Sequence, residues 1–439
     1  MSTVIYWFRN DLRLLDNPAF LLACRESSHI VPVFCHDPSD RALTHWGFER
    51  VGDHRRAFLA ATLADLAAQL AARGSELIEL AGRPQDVLPA LARSIGATCI
   101  VGEAIAAPDE QDAVQALRTA GLNIDLVWQS SLLEPDALPF STRRLPDMFT
   151  LFRTAVEKAD VAPPVPEDYP ALIPPLPVLP SPLPHRWQDS PPALPDTDVR
   201  SSFPYQSAVC AGGTSAGLAH LHQYLERKLA HTYKDTRNGL MGLDYSSKFS
   251  PWLATGALSA RTINAAIEQF EDDFGANDST YWLWFELLWR DYFRFLHLKY
   301  GRKLYRHYGL ADAGMARPVH DAAQFARWSH GLTGEPIVDA GMRELATTGY
   351  LSNRLRQIVA SYLIHDLGGD WRAGAAWFES QLVDYDVYSQ PGQLAVSGRA
   401  RHRSARRAAL QSAKASPGLR CRWRISGIMG NRLIGPALR

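Results

Sequence analysis

A chain of 439 residues exceeds the usual size of one domain, so two domains are expected, and 46 % hydrophobic with 21 % charged residues fits a globular protein. Lys plus Arg and Asp plus Glu balance at 46 each, yet eleven of the bases and none of the acids lie from position 390 onward, leaving 35 bases against 46 acids before it. That basic tail is foreign to the rest in composition, and the absence of any run of about 18 apolar residues excludes a helical membrane span.

The start, MSTVIYWFRNDLR, places Arg9, Asp11 and Arg13 where a secretory signal would need its apolar stretch. Cys24, Cys35, Cys99, Cys210 and Cys421 are scattered, odd in number and without metal-ligand spacing, so a reducing compartment, the cytoplasm, is expected and no metal site. Apolar β-prone runs recur at 4–8, 30–35, 76–80, 98–102 and 124–128, separated by helix-like stretches at 54–73, 84–95 and 108–120. Strands alternating with helices mean βαβ units, hence an α/β, doubly wound, Rossmann-like domain on a parallel sheet over 1–135. No Gly-x-Gly-x-x-Gly or Walker loop follows the first run, so the usual dinucleotide and triphosphate grips are missing.

Residues 136–205 read as an interdomain connection, semi-extended because proline dominates 161–205. Thereafter apolar residues recur at three-to-four spacing in 217–229, 259–274, 280–300, 337–349, 353–368 and 371–382, so 206–389 is expected to be a compact all-helical domain. Most of the twelve tryptophans lie after position 180. Such indoles either pack a core or hold a planar cofactor and conduct electrons.

Three clusters in that domain exceed what packing requires. In the first, Ser246, Ser247 and Ser250 precede a helix begun by Pro251. Their hydroxyls suit an N-cap, the commoner reading for serines before a proline, or a phosphate at the helix start. In the second, Glu286 and Arg290 share a helix face with Trp289. This is either a surface ion pair or the wall of a cavity. In the third, Asn353, Arg356 and Gln357 lie on or beside one helix face, while Asp384 and Asp386 follow another helix. The two aspartates with Arg356 are either a salt-bridge set or a binding site, and Asp-x-Asp alone is weak ground for a metal.

Taken in order, WFRNDLRLLDNPAF (7–20), SSKFSPWLATGALS (246–259), ELLWRDYFRF (286–295), TGEPIVDAGMREL (333–345), NRLRQIVASYLIHDL (353–367) and DWRAGAAWFESQLVDYDVYS (370–389) resemble the motifs of the photolyase/cryptochrome superfamily. Gln357 stands where the better-known dimer photolyases carry methionine, which points to the DASH branch. The resemblance implies an N-terminal antenna domain and a helical domain holding FAD. It assigns Tyr233, Ser246, Ser247, Phe249, Ser250, Glu286, Arg290, Asn353, Arg356, Asp384 and Asp386 to the flavin. It further assigns Arg237, Glu286, Trp289, Asn353, Arg354 and Gln357 to a lesion cavity, with Glu286 and Asn353 in the chemistry and Trp371 in the middle of a tryptophan electron chain. The implied activity is light-driven splitting of cyclobutane pyrimidine dimers, preferably in single-stranded DNA, by a monomer. An antenna chromophore is also implied, 5,10-methenyltetrahydrofolate, with Glu103 as its ligand or simply a surface glutamate at a strand end.

The departures from the family pattern are concentrated after Ser389. Gln390 replaces an asparagine beside the flavin, Leu394 the tryptophan nearest it, and Val396 an aromatic of the lesion cavity, while Pro318 occupies the place of the outer chain member. Codons allowed for 390–399, read one base later, spell NRGNWQYLAG, the family's continuation, so a frameshift is inferred for 390–439. Two other readings therefore stand beside repair: a blue-light receptor without repair activity, and a flavin-deficient product of a disrupted gene.

Overall fold

A computed structural model describes residues 2–189, 194, 198, 200–310 and 320–389. The five apolar runs form β1 (Thr3–Phe8), β2 (His29–His36), β3 (Ile78–Ala81), β4 (Ala97–Glu103) and β5 (Ile124–Val127), all parallel, in the order β3-β2-β1-β4-β5. Between them run α1 (Pro18–Glu26), α2 (Asp53–Ala71), α3 (Pro84–Ile95) and α4 (Pro108–Thr119). Alternation along β1 explains the layering. Val4, Tyr6 and Phe8 pack with Phe20 of α1 and Leu63, Leu66 and Leu70 of α2. Ile5 and Trp7 pack with Leu88 and Leu91 of α3 and with Val114 and Leu117 of α4. Both faces of the sheet are thus covered, as parallel strands require.

The connection is less plain than its proline content predicts. It contains α5 (Phe149–Lys158), whose Phe149, Phe152 and Val156 join the helical core. Beyond α5 its described residues carry no helix or strand up to a short turn at Ala208–Cys210. They are nevertheless tied down: Ala81 N–H donates to His185 O at 2.6 Å and Trp187 N–H to Glu79 O at 2.9 Å, which covers the outer edge of β3.

The helical domain comprises α6 (Thr214–Glu226), α7 (Tyr233–Thr236), α8 (Ser250–Thr255), α9 (Ala260–Phe274), α10 (Asp278–Tyr300), α11 (Ala322–Ser329), α12 (Pro336–Thr348), α13 (Asn353–Ser361) and α14 (Trp371–Gln381). α10 starts with a reciprocal cap between Asn277 and Thr280. A π-helical stretch, Tyr362–Asp366, follows α13.

Polar contacts lock the two domains together. Arg261 Nε donates to the buried Asp16 carboxylate at 3.0 Å, and Arg13 Nη1 to Gly256 O at 2.9 Å. Asp291 on α10 accepts the N–H groups of Leu132 and Leu133 at 2.9 and 2.8 Å. Gly256 ends α8 at φ 72°, and a Cβ there would stand 1.9 Å from Asn10 O. Only glycine permits that approach.

Candidate functional site

A cavity of about 390 Å³ opens among α7, α8, α9, α10 and α13, a size within the range of small-molecule and cofactor sites. The sequence separates its walls by more than 150 residues, from Tyr233 to Ser389. One wall is apolar, made by Leu253, Ile263, Ile267, Leu283, Leu287 and Phe293. The opposite side is polar.

Two buried ion-pair networks form the polar floor. Arg356 Nη2 lies 2.8 Å from each oxygen of Asp384, and Ser250 Oγ donates to Asp384 Oδ2 at 2.7 Å. Arg294 Nη2 donates to Asp386 Oδ2 at 2.8 Å, while the N–H groups of Tyr388 and Ser389 donate to Asp386 Oδ1 at 2.8 and 3.0 Å. Burial works against the Asp386 carboxylate, but Arg294 and Arg290 outweigh it and hold its pKa well below the usual carboxylate range. Arg290 gives Nη1 to Ser130 O and Nη2 to Leu253 O at 3.0 Å. Its Nε is buried without a hydrogen-bond partner, and burial together with Arg294 lowers its pKa to about 9.

The mouth is built differently. Glu286 on α10 pairs with Arg237, whose guanidinium lies 4.2 Å from the Trp282 ring centroid. The Glu286 side chain keeps 35 % of its surface open, so it remains accessible from the cavity. Burial raises its pKa, with Arg237 opposing. Trp289 stacks on Phe149 with centroids 3.7 Å apart and planes 11° from parallel, and it lines the cavity. Asn353 and Gln357, four apart on α13, are exposed at the rim beside Arg354.

The structure therefore brings together every residue that the sequence assigned to the flavin or to the lesion, since all of them line this cavity. Ser246 and Ser247 sit in the turn before α8, though that helix is only six residues long and adds little dipole. Phe249 is also a core ring, edge-on to Tyr224 at 5.4 Å. Trp371 does not reach the cavity: it is buried in the second helical core and donates Nε1–H to His307 O at 2.9 Å. Glu103 lies elsewhere, 1 % exposed at the carboxyl end of β4, where the strand order reverses. Gln390, Leu394, Val396 and Pro318 lie outside the described residues. Lys248 and Tyr350 line the cavity without having been singled out, because a lysine in a serine-rich string reads as surface.

The donor set fits FAD. Hydroxyls at a helix start suit a pyrophosphate, the apolar wall suits a planar ring system, and arginine-held carboxylates suit ring N–H groups. Comparison with known proteins agrees. Residues 4–171 match the DNA photolyase family model and residues 282–413 the FAD binding domain of DNA photolyase. Cryptochrome DASH of Synechocystis is 43 % identical over 396 residues, covering 89 % of this chain and 79 % of that protein.

The chain belongs to the photolyase/cryptochrome family. Its relatives there are cryptochrome DASH proteins, among them the chloroplastic/mitochondrial one of Arabidopsis thaliana, 41 % identical over 401 residues, covering 89 % of this chain and 69 % of that protein. The crystal structure of the Synechocystis cryptochrome superposes with a TM-score of 0.86 at 41 % identity, covering 91 % of this chain and 82 % of that one. The cryptochrome fold accounts for the layout described above, a five-stranded parallel α/β domain followed by a helical FAD-binding domain. Among the described residues no helix is long and apolar enough to cross a membrane.

Proposed function

We propose that this cryptochrome uses FAD and blue light to split cyclobutane pyrimidine dimers, preferentially in single-stranded DNA. The observation that carries the reading is one cavity in which the Glu286–Arg237 pair guards the mouth while the Asp384 and Asp386 networks form the floor. When bound, reduced FAD supplies light absorption and the electron that such splitting needs.

The residues would act as follows. Ser246, Ser247, Ser250 and Arg290 hold the pyrophosphate, and Asp384, Asp386 and Arg356 orient the ring system. Tyr233, Phe249 and the apolar wall exclude water. A flipped dimer stacks on the Trp289 indole, which Phe149 holds in place. Glu286, its pKa raised, shares a proton with a dimer carbonyl, and Asn353 and Gln357 hold the base edges. Arg237 and Arg354 meet the flanking phosphates. Flipping costs a few kcal/mol and least from a damaged single strand, which favours that substrate. A monomer suffices, because one chain supplies all these groups.

Trp371 is assigned to an electron route behind the cavity. For the antenna we infer methenyltetrahydrofolate near Glu103, since one oxygen of this buried carboxyl has no hydrogen-bond partner. The cytoplasm is inferred as its location from the free thiols at Cys24, Cys35, Cys99 and Cys210.

The test is blue-light removal of dimers from irradiated oligonucleotides. The wild-type chain is expected to clear single strands faster than duplexes. Glu286→Gln should lose roughly tenfold to a hundredfold in rate per bound FAD, as loss of a charge-assisted hydrogen bond predicts. Normal flavin content with no dimer loss in either substrate would replace repair by the receptor reading.

A further inference from the structure

At the cavity mouth, two side chains four apart on α10, Trp282 and Glu286, share one helix face and grip the same arginine. Arg237, at the end of α7, pairs through Nη1 with Glu286 Oε1, and its guanidinium lies over the Trp282 ring, 4.2 Å from the centroid. The base of that arginine is fixed as well. Its N–H donates to Tyr233 O at 2.9 Å. Lys234 ties α7 to the start of α10, by N–H to Ser279 Oγ at 3.1 Å and Nζ to Asp278 Oδ2 at 2.6 Å. Trp282 is half-buried against Phe285, with ring centroids 4.4 Å apart, and lies outside the cavity lining. Arg237 belongs to the lining and keeps 26 % of its side-chain surface open.

We propose that Trp282 is a positioning residue: its ring holds Arg237 by the face while the guanidinium exchanges Glu286 for a phosphate of the incoming single strand. This role rests on the repair reading of the cavity and extends it to a residue outside the lining. A carboxylate paired with a guanidinium is charged and only accepts bonds, so it has no proton to share with a dimer carbonyl. Arg237 must therefore leave Glu286 before that contact forms. Burial raises the Glu286 pKa and Arg237 opposes it, so departure of the guanidinium lets the carboxyl gain its proton. An arginine released without a second hold regains its rotamer freedom, which the phosphate contact would then have to remove again. The contact with Trp282 occupies the face of the guanidinium and none of its N–H donors, which stay in plane for a phosphate. The ring attracts the charge in either state, so the hold persists through the exchange.

Packing asks less of position 282. Any large apolar side chain could cover Phe285 there, whereas only an aromatic ring offers a guanidinium a negative face. The two roles separate by coupling. A packing residue acts on stability whatever stands at 237, while a positioning residue acts on DNA only through Arg237.

The experiment measures, in the dark and over a range of salt, binding of the full flavin-loaded chain to a single-stranded oligonucleotide carrying a dimer. The splitting rate in blue light is then read with that oligonucleotide saturating. Trp282→Leu should bind about threefold to tenfold more weakly, as loss of a cation–π contact predicts, with the cost falling on affinity rather than on the saturating rate per bound FAD. Its plot of log affinity against log salt should be shallower by up to about 0.7, the worth of one phosphate contact on a single strand. Trp282→Phe, which keeps a ring, should retain most of the affinity and the full slope. Arg237→Met should lose the same slope, and adding Trp282→Leu to it should change neither affinity nor slope further. A Leu variant equal to wild type in affinity and slope would overturn the role of Trp282 and leave the repair reading standing. So would a cost of Trp282→Leu that is as large on top of Arg237→Met as alone, or a Phe variant no better than Leu. If the Leu variant proves unstable, the Phe variant against Arg237→Met decides by the same slopes. A wild type that binds single strands but splits no dimers would overturn the repair reading, while the slopes measured in the dark still report on Trp282.

Discussion

Arg294 stands near two carboxyls that respond in opposite ways. Asp386 receives its Nη2 directly and two backbone N–H groups besides, so it is held ionised. Glu103 feels the same guanidinium only at a distance, has an unpartnered oxygen, and is buried beside Asp11. Burial and Asp11 therefore win over Arg13, Arg294 and Arg9, and its pKa is pushed up to about 7 from an ordinary 4.5. The sign is that of a raised acid. Its contribution to stability is complete below the ordinary value and is lost as pH rises through about 7. Glu103→Gln removes that loss while keeping shape. The melting temperature of the variant should gain on the wild type from about pH 5 to about pH 7 and level off above, measured by calorimetry. A difference that stays constant over that interval would show that Glu103 does not titrate there.

At the scale of elements, α8 and the turn before it matter most, because they join the cavity to the other domain. The serines line the cavity, while Gly256 at the far end meets Asn10 of the α/β domain. Gly256→Ala places a side chain on a left-handed residue and against a backbone oxygen 1.9 Å away. It should destabilise the fold by about 2 kcal/mol or more, read as a lower urea midpoint, and weaken FAD retention with it. A variant as stable as wild type would mean that the seam yields easily. Much of this layout was legible beforehand. Runs such as VIYWF and IVPVFC could only be buried parallel strands, and α9 and α10 carry long amphipathic patterns. What stayed hidden was short or context-bound. α1 is a nine-residue helix set by Asn17 accepting from Phe20 N–H with Pro18 behind it, and α11 has eight residues. The π-helical Tyr362–Asp366 continues an α-like pattern, so nothing in the string marks the change. The burial of Lys248 depends on Tyr245 and Tyr350 closing over it, a tertiary fact absent from local spacing. The motif strings, by contrast, picked out residues that the fold gathers around one cavity, because ligand chemistry constrains residue type more tightly than packing does.

At the scale of the molecule, two domains share one polar seam, and the helical half holds the cavity. Buried pairs such as Arg261–Asp16 and Asp291 with its two N–H donors fix the α/β domain in place rather than letting it swing. Such pairs add specificity more than stability. Every step proposed for this cryptochrome requires the cavity between the serine turn and the Asp384/Asp386 floor to hold one folded FAD. The direct measurement is the absorption spectrum of the purified full chain, followed by assay of the FAD released on denaturation. Flavin bands with FAD released in equimolar amount to protein are the predicted result. A colourless protein that takes up no FAD from excess ligand would contradict the account.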